Sequence, residues 1–335
     1  MRHATLTLSL CCTSFFGMLL LSQTGVPLDN DQDGLDDAFE DALLKQFQPQ
    51  LMVSREDCSI KPAQFAPFLS EPTVLVENGI LYAQAFPRGA SGQEVELHYY
   101  HLWRKDCGQI SHPLDAEHVS LLLRADTKDA TRWRAIYWYA AAHEDTVCDA
   151  SQVTRASTLK AETHGTTVWI SAGKHASFFR SELCSRTCGG DRCVDAVQIA
   201  SPTVVNVGEL QQPMNGAIWI GSHRWPVAAK MSRTDFSKAR LARLERLPVT
   251  DIAWANPSKR PTQTAILGGN SAVAGVAIGG RSTDTALVLA NDKTTEALGT
   301  ASRNTGNALT KTFQSVRKAL GGATRRTEQT LANVP

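Results

Sequence analysis

The sequence lacks the usual signatures of a soluble enzyme. It has no nucleophile elbow, no phosphate loop and no dinucleotide fingerprint, which sets aside the common hydrolase, nucleotidase and dehydrogenase plans. An excess of one charge is also missing. Its 34 Lys+Arg and 33 Asp+Glu leave a net +1 over 335 residues. No chain-wide basic field results, and no nucleic-acid partner is expected. After Leu21 no apolar run is long enough to cross a bilayer. Beyond position 250 the only aromatics are Trp254 and Phe313. With 42% hydrophobic and 20% charged residues, collagen-like, wholly disordered and coiled-coil chains are excluded.

The near-neutral total hides an asymmetry. Residues 1–231 carry 19 Lys/Arg and 26 Asp/Glu, whereas residues 232–335 carry 15 and 7. The acidic, aromatic-rich part is expected to hold the core and the basic part to be an appendage. The first 24 residues read as a secretory signal peptide. Arg2 and His3 precede an apolar stretch to Leu21, and small residues follow at Ser22-Gln-Thr-Gly25. A retained anchor is the competing reading, but the run is short for one. The mature protein is thus expected to be exported: periplasmic, at the cell surface or extracellular.

Export gives the cysteines their meaning. Two of the eight lie in the leader. The remaining six, Cys58, Cys107, Cys148, Cys184, Cys188 and Cys193, form an even set and are expected in disulfides, in a pairing the sequence leaves open. The Cys184-x3-Cys188-x4-Cys193 cluster reads as a stapled loop. Its spacing does not suit zinc, and no His lies nearby.

Residues 25–49 begin with Asp29-Asn-Asp31-Gln-Asp33-Gly34-Leu35-Asp-Asp37-Ala-Phe-Glu40, which fits the twelve-residue calcium loop. Asp29, Asp31, Asp33, Asp37 and Glu40 supply side-chain oxygens, Leu35 its carbonyl, and Gly34 the sharp turn. Asp36 departs from the apolar residue with which paired loops bridge to each other, so an unpaired extracellular Ca2+ site of modest affinity is expected. Phe39, Leu43, Leu44 and Phe47 then recur at helical spacing, which predicts an amphipathic helix ending near Gln48-Pro49.

Residues 50–231 read as β-rich. Strand-like runs occupy 73–76, 95–103, 119–123, 133–139, 167–171 and 217–220, separated by turn residues. A mainly β fold, a β-sandwich with long disulfide-stapled loops, is expected. Its chemistry-bearing segment runs from Trp103 to Val119 and places Asp106, His112, Asp115, Glu117 and His118 close together. Asp115 and Glu117 share a face at a strand start. With Asp106 and His112 they could hold a second divalent cation, Mg2+ or Ca2+. His143 and His175 sit at strand-to-loop junctions and are candidate general bases should the site be catalytic. His118 is a candidate supporting group. His98 and His101 alternate with aromatics and read as structural.

Two resemblances attach to these residues. His112-x-x-Asp115-x-Glu117 resembles the end of the GHRHDWE heptapeptide of necrosis-inducing-protein-like toxins, β-sandwiches related to actinoporins, and Asp106 stands where those proteins place an upstream metal-binding Asp. The heptapeptide Gly, its second His and its Trp are missing here, which argues against a plant-cell toxin. Asp115-Ala-Glu117-His118-Val119 more closely resembles the GDWEHV-type motif of the vacuolar-protein-sorting-62-like family. Ile136–His143 and Val168–Ser177 are similar to that family's later SQHS-like and GSHA-like turns, in the same order. For the toxin-like group the resemblance implies a divalent metal and recognition of membrane sphingolipid. For the sorting-protein-like group it implies no established reaction.

The basic part divides into a short helix within 232–254, a linker at 255–283 rich in Gly, Ser, Thr and Pro, and a tail at 284–335. In the tail, Ala-Leu pairs recur every eleven residues from Ala286-Leu287 to Ala319-Leu320, and Leu331 keeps the step. A long, weakly apolar helix on a membrane surface is one expectation, and a disordered tail is the other. Three functions follow from these features. The first is an exported calcium-binding β-sandwich that recognises a surface ligand, such as a lipid or glycan headgroup, through its divalent site. The second is a metal-dependent hydrolase using His143 or His175. The third is a structural envelope protein.

Overall fold

The computed structural model describes residues 28–259, apart from 90–91, 109–110, 128, 130, 188–189, 201–202, 223–224, 232 and 247–251. The leader, most of the linker, the repeat tail and Cys188 lie outside the described residues.

The chain is mainly β, as its alternating and β-branched segments predict. After helix α1 (Asp37–Gln46), strands β1 (Gln50–Ser54), β2 (Gln64–Phe65) and β3 (Val74–Val76) lead to β4 (Leu81–Arg88), β5 (Glu94–Asp106), β6 (His112–Ala125), β7 (Trp133–Ala140) and β8 (Gln152–Arg155). Helix α2 (Ala156–Leu159), β9 (Thr167–Ile170), β10 (Ser177–Phe178), helix α3 (Ser181–Cys184), β11 (Ala196–Gln198), β12 (Val204–Asn206), helix α4 (Lys238–Arg246) and β13 (Ile252–Trp254) follow. One sheet has the order β12-β4-β5-β6-β7-β8-β13, a second the order β10-β9-β1-β11, and β2 pairs with β3.

β5 and β6 form a long antiparallel hairpin, with Asp106 opposite His112, Trp103 opposite Asp115 and His101 opposite Glu117. Odd-numbered residues on both strands, from Leu97 and Tyr99 to Val119 and Leu121, face Leu51, Val53, Val168 and Ile170 of the smaller sheet in one core. Even-numbered residues face outward, yet they too are buried. Tyr100, Leu102 and Ala116 pack under Trp219, Trp225 and Val227, and Leu122 lies under Phe236 and Leu244. Cover on both faces explains why β5 and β6 read as nearly continuous apolar runs rather than as clean alternation.

Helix α1 docks through Leu43, Leu44 and Phe47, the stripe expected from its spacing. The Tyr99 hydroxyl donates to the Leu44 carbonyl at 2.9 Å and ties the helix to β5. Residues 217–220 are not a strand. Asn215 and Gly216 both take positive φ, 52° and 76°, and turn the chain into a 3-10 turn at Ile218–Gly221. Trp219 then packs on Phe65, Tyr82 and Trp225. Periodicity cannot separate strand from helix in so short an apolar run. Helix α4 matches the expected basic helix. The chain after it returns as β13, antiparallel to β8 at the edge of the larger sheet. No described helix is long and apolar enough to cross a membrane.

Two bridges, Cys58–Cys107 and Cys184–Cys193, are formed, and Cys148 is disulfide-bonded as well. Bonds of this kind belong to oxidising compartments.

Candidate functional site

The turn end of the β5–β6 hairpin gathers the chemistry. Antiparallel pairing sets Asp106 against His112, and His112 Nε2 lies 3.9 Å from Asp106 Oδ2. One ligand atom each from Asp106, His112 and Asp115 fall within 4.8 Å of one another. The His112 side chain is 52% exposed, Asp106 16% and Asp115 11%. The cluster therefore has protein behind it and solvent in front. Glu117, two residues deeper on the same face, is buried, and its Oε2 has no hydrogen-bond partner. Burial, with Asp115 adding to it and Lys230 opposing, pushes the Glu117 carboxyl up to about 8. Burial without a hydrogen-bond partner disfavours the charged carboxylate, and a cation beside it would favour that form.

His175 and His143 stand behind this cluster, each fixed by a buried aspartate. His175 Nδ1 donates to Asp115 Oδ2 at 2.9 Å, and its Nε2 lies 3.3 Å from Asp57 Oδ1. Its ring stacks on Trp103 with centroids 4.1 Å apart. Burial works against charge on the ring, but the contacts and charges of Asp115 and Asp57 outweigh it and push the pKa up to about 9. His143 Nε2 meets both oxygens of Asp191 at 2.8 Å. Asp191 also accepts from Ser171 and Thr187. Leu114, His143, Asp145 and His175 all adopt positive φ, between 53° and 63°. Strain of this kind persists only where surrounding contacts impose it, and it gathers at functional sites.

The disulfides frame the same place. The Cys58–Cys107 bridge joins the residues that follow Asp57 and Asp106, and Cys184–Cys193 closes the loop that carries Asp191. Asp57 and Asp191 have no motif of their own. Their one signal in the sequence is that each adjoins or lies between cysteines. His101 is structural, as its aromatic neighbours imply: Nε2 meets Ser177 Oγ at 2.8 Å and Nδ1 accepts from Trp103 at 2.9 Å.

The acidic loop ahead of α1 is a second, separate centre. Gln32 and Gly34 take positive φ and curl the loop inward. Ligand atoms of Asp29, Asp31 and Asp33 converge within 4.8 Å, as do those of Asp31, Asp37 and Glu40. Asp31 and Glu40 are buried. Both oxygens of Asp31, with Asp29 Oδ1, Asp33 Oδ2 and Glu40 Oε1, have no hydrogen-bond partner. Burial first, and then mutual repulsion, pushes Asp31 up to about 7 and Glu40 up to about 9. Crowded, unpartnered carboxylate oxygens are the donor set that a hard cation takes, so the residues fit Ca2+. Asp36 is explained by the helix it begins. Its Oδ1 accepts the Phe39 amide at 3.0 Å as the N-cap, and its Oδ2 accepts that of Leu28 at 3.2 Å. Asn206 and Glu209, which sequence reasoning missed, border this loop. Asn206 donates to Glu40 at 2.7 Å, and the Glu209 charge acts on Asp31 and Asp33.

No family model and no curated protein matches the chain. Among solved structures, a mutant of NLPPya is similar over 66% of this chain and 92% of its own, at 16% identity and a TM-score of 0.38. NLPPya in complex with glucosamine is similar over 57% and 78%, at 14% identity and a TM-score of 0.35. The Necrosis and Ethylene inducing Protein 2 from the causal agent of cocoa's Witches Broom disease is similar over 59% and 85%, at 16% and 0.30. These are the proteins that His112-x-x-Asp115-x-Glu117 resembles. The resemblance to the vacuolar-protein-sorting-62-like family rests on its three short motifs alone. Similarity at this level assigns neither a family nor an activity.

Proposed function

We propose that this chain is an exported recognition protein that holds a divalent cation at the turn end of the β5–β6 hairpin and uses it to bind an oxygen-rich surface headgroup, of a lipid or a glycan. The observation that carries this reading is one-sidedness. Asp106, His112 and Asp115 converge from the protein side, with the buried Glu117 behind them, and the solvent side is left to a ligand. A hard cation held by a few carboxylates and one imidazole keeps positions for hydroxyl or phosphate oxygens. Calcium in the N-terminal loop fixes α1 against the sheet and does no chemistry. The eleven-residue repeat, which lies outside the described residues, adds attachment to a membrane surface.

The hydrolase reading has less support. His175 is fully buried, with a carboxylate at each ring nitrogen, so it has no nitrogen to offer a water molecule. His143 retains only its second nitrogen. The test is vesicle co-sedimentation of the full chain on membranes bearing sugar or phosphate headgroups, with Mg2+ or Ca2+ and with chelator. Binding that needs the cation, and that Asp106→Asn and Glu117→Gln abolish, is the expected result. Binding unaffected by chelator and by both substitutions would overturn the proposal.

A further inference from the structure

The outer face of the larger sheet holds a third group of metal-ligand side chains, which neither site uses. His98 lies on β5 beside Tyr100, and the cross-strand partners of these two residues are Ser120 and His118. The imidazoles of His98 and His118 stack, with centroids 5.7 Å apart and planes 8° from parallel. Asp235, from the segment that runs into α4, closes on both. His118 Nε2 lies 3.0 Å from Asp235 Oδ2, His98 Nδ1 lies 3.8 Å from the same oxygen, and Ser120 Oγ donates to it at 2.5 Å. His98, His118 and Asp235 are each at most 2% exposed.

Glu96 decides the state of His98. Its Oε1 accepts from His98 Nε2 at 3.0 Å and from the Asp235 amide at 2.7 Å. Nδ1, the nitrogen that faces Asp235, has no hydrogen-bond partner. Bare, its lone pair would repel that carboxylate in a buried site, so Nδ1 takes either a second ring proton or a metal ion. A carboxylate that accepts from the far nitrogen of an imidazole is the arrangement that orients histidine ligands. The spacing agrees. Metal–ligand bonds of ~2.0–2.1 Å at tetrahedral angles put ligand atoms ~3.3 Å apart, between the observed 3.0 and 3.8 Å. Two imidazoles and one carboxylate are borderline donors and suit Zn2+ rather than Ca2+.

We infer that His98 Nδ1, His118 Nε2 and Asp235 Oδ2 form a zinc-class site that clasps the segment leading into α4 to strands β5 and β6. It lies on the opposite face of the sheet from Asp115 and Glu117, and it is independent of the recognition reading.

The full chain, purified without chelator, is analysed for metal by mass spectrometry. The same protein, stripped and then loaded with Co2+, is read by visible absorption. About one zinc per chain and the intense bands of tetrahedral Co2+ are expected. Both should be lost in His98→Gln and Asp235→Asn and kept in Asp115→Asn. The wild-type Co2+ spectrum keeps the test decisive even if a variant fails to fold. Wild-type protein with neither zinc nor a tetrahedral Co2+ spectrum would overturn the inference. So would metal lost in Asp115→Asn but kept in His98→Gln.

Discussion

Asp115 and His175, sixty residues apart, meet through a 2.9 Å hydrogen bond, and Asp57 closes the other side of the ring at 3.3 Å. One imidazolium thus serves two carboxylates, and one of them, Asp115, belongs to the cluster with Asp106 and His112. The pair orients Asp115 toward Asp106 and His112. It also ties the β9–β10 turn to the β5–β6 hairpin.

Replacing His175 by Ala should leave Asp57 and Asp115 as uncompensated charges. Removing one partner of a buried ion pair typically costs about 3–5 kcal/mol. Urea unfolding of the two proteins measures the difference. A loss below about 1 kcal/mol would mean that the imidazolium does not hold these carboxylates together.

His143 and Asp191 give a pH dependence of definite sign. Burial disfavours charge on His143, but the hydrogen bond and charge of Asp191 outweigh it and hold its pKa above 6.5. Asp191 is held below 3.8. Burial opposes this shift, and His143, Thr187 and Ser171 outweigh it. A raised histidine stabilises fully below its unfolded value and loses that contribution as pH rises through the folded one. A depressed aspartate stabilises above its unfolded value and loses that contribution as pH falls. The pair therefore contributes most between about pH 4 and 6.5. Unfolding free energies at about pH 6 and pH 9 should show wild type losing more stability on alkalisation than His143→Gln. Equal losses would remove His143 from the account.

Much of this was legible in the sequence, and the rest was hidden for identifiable reasons. The twelve-residue loop and the α1 stripe are local, so spacing alone located them. Asp106, His112 and Asp115 were legible because a hairpin folds them onto one another. Asp57, Asp191 and Asp235 were not. Each reaches its histidine from at least 48 residues away, and no periodicity encodes such a meeting. His98 read as structural because its aromatic neighbours look the same whether or not a carboxylate arrives later in the chain. The 3-10 turn at Ile218–Gly221 reads as a strand because a four-residue apolar run has no period of its own, although the Asn215-Gly216 pair ahead of it is a turn signal.

The Cys58–Cys107 bridge should matter twice. It closes a separation of 49 residues, and a bridge of this kind typically contributes about 2–4 kcal/mol. It also fixes Asp57 and Asp106, one residue from each cysteine. The double Cys58→Ala, Cys107→Ala variant should therefore unfold at lower urea and bind divalent cation more weakly at the hairpin end. Calorimetric titration with Mg2+ reads the second effect. Weakened stability with unchanged affinity would separate the bridge from the site.

Calcium should stabilise the whole described domain and not merely the loop. Glu40 receives the Asn206 amide, Tyr99 holds the Leu44 carbonyl, and Phe47 is buried in the main core. The loop, α1, β5 and the end of β12 are thus one connected unit. A cation placed among Asp29, Asp31, Asp33, Asp37 and Glu40 removes their mutual repulsion in the folded state alone. At about 100-fold excess over its dissociation constant, one such ion adds about 2.7 kcal/mol. Thermal unfolding of the full chain should shift upward with Ca2+ and return with chelator. Glu40→Gln, which removes the last carboxylate while keeping an acceptor oxygen, should lose most of the shift. Its baseline in chelator should be close to that of wild type, because burial already keeps the Glu40 carboxyl protonated without the ion and the amide is a neutral replacement of the same shape. Identical melting curves for wild type in calcium and in chelator would leave the loop a solvated acidic turn.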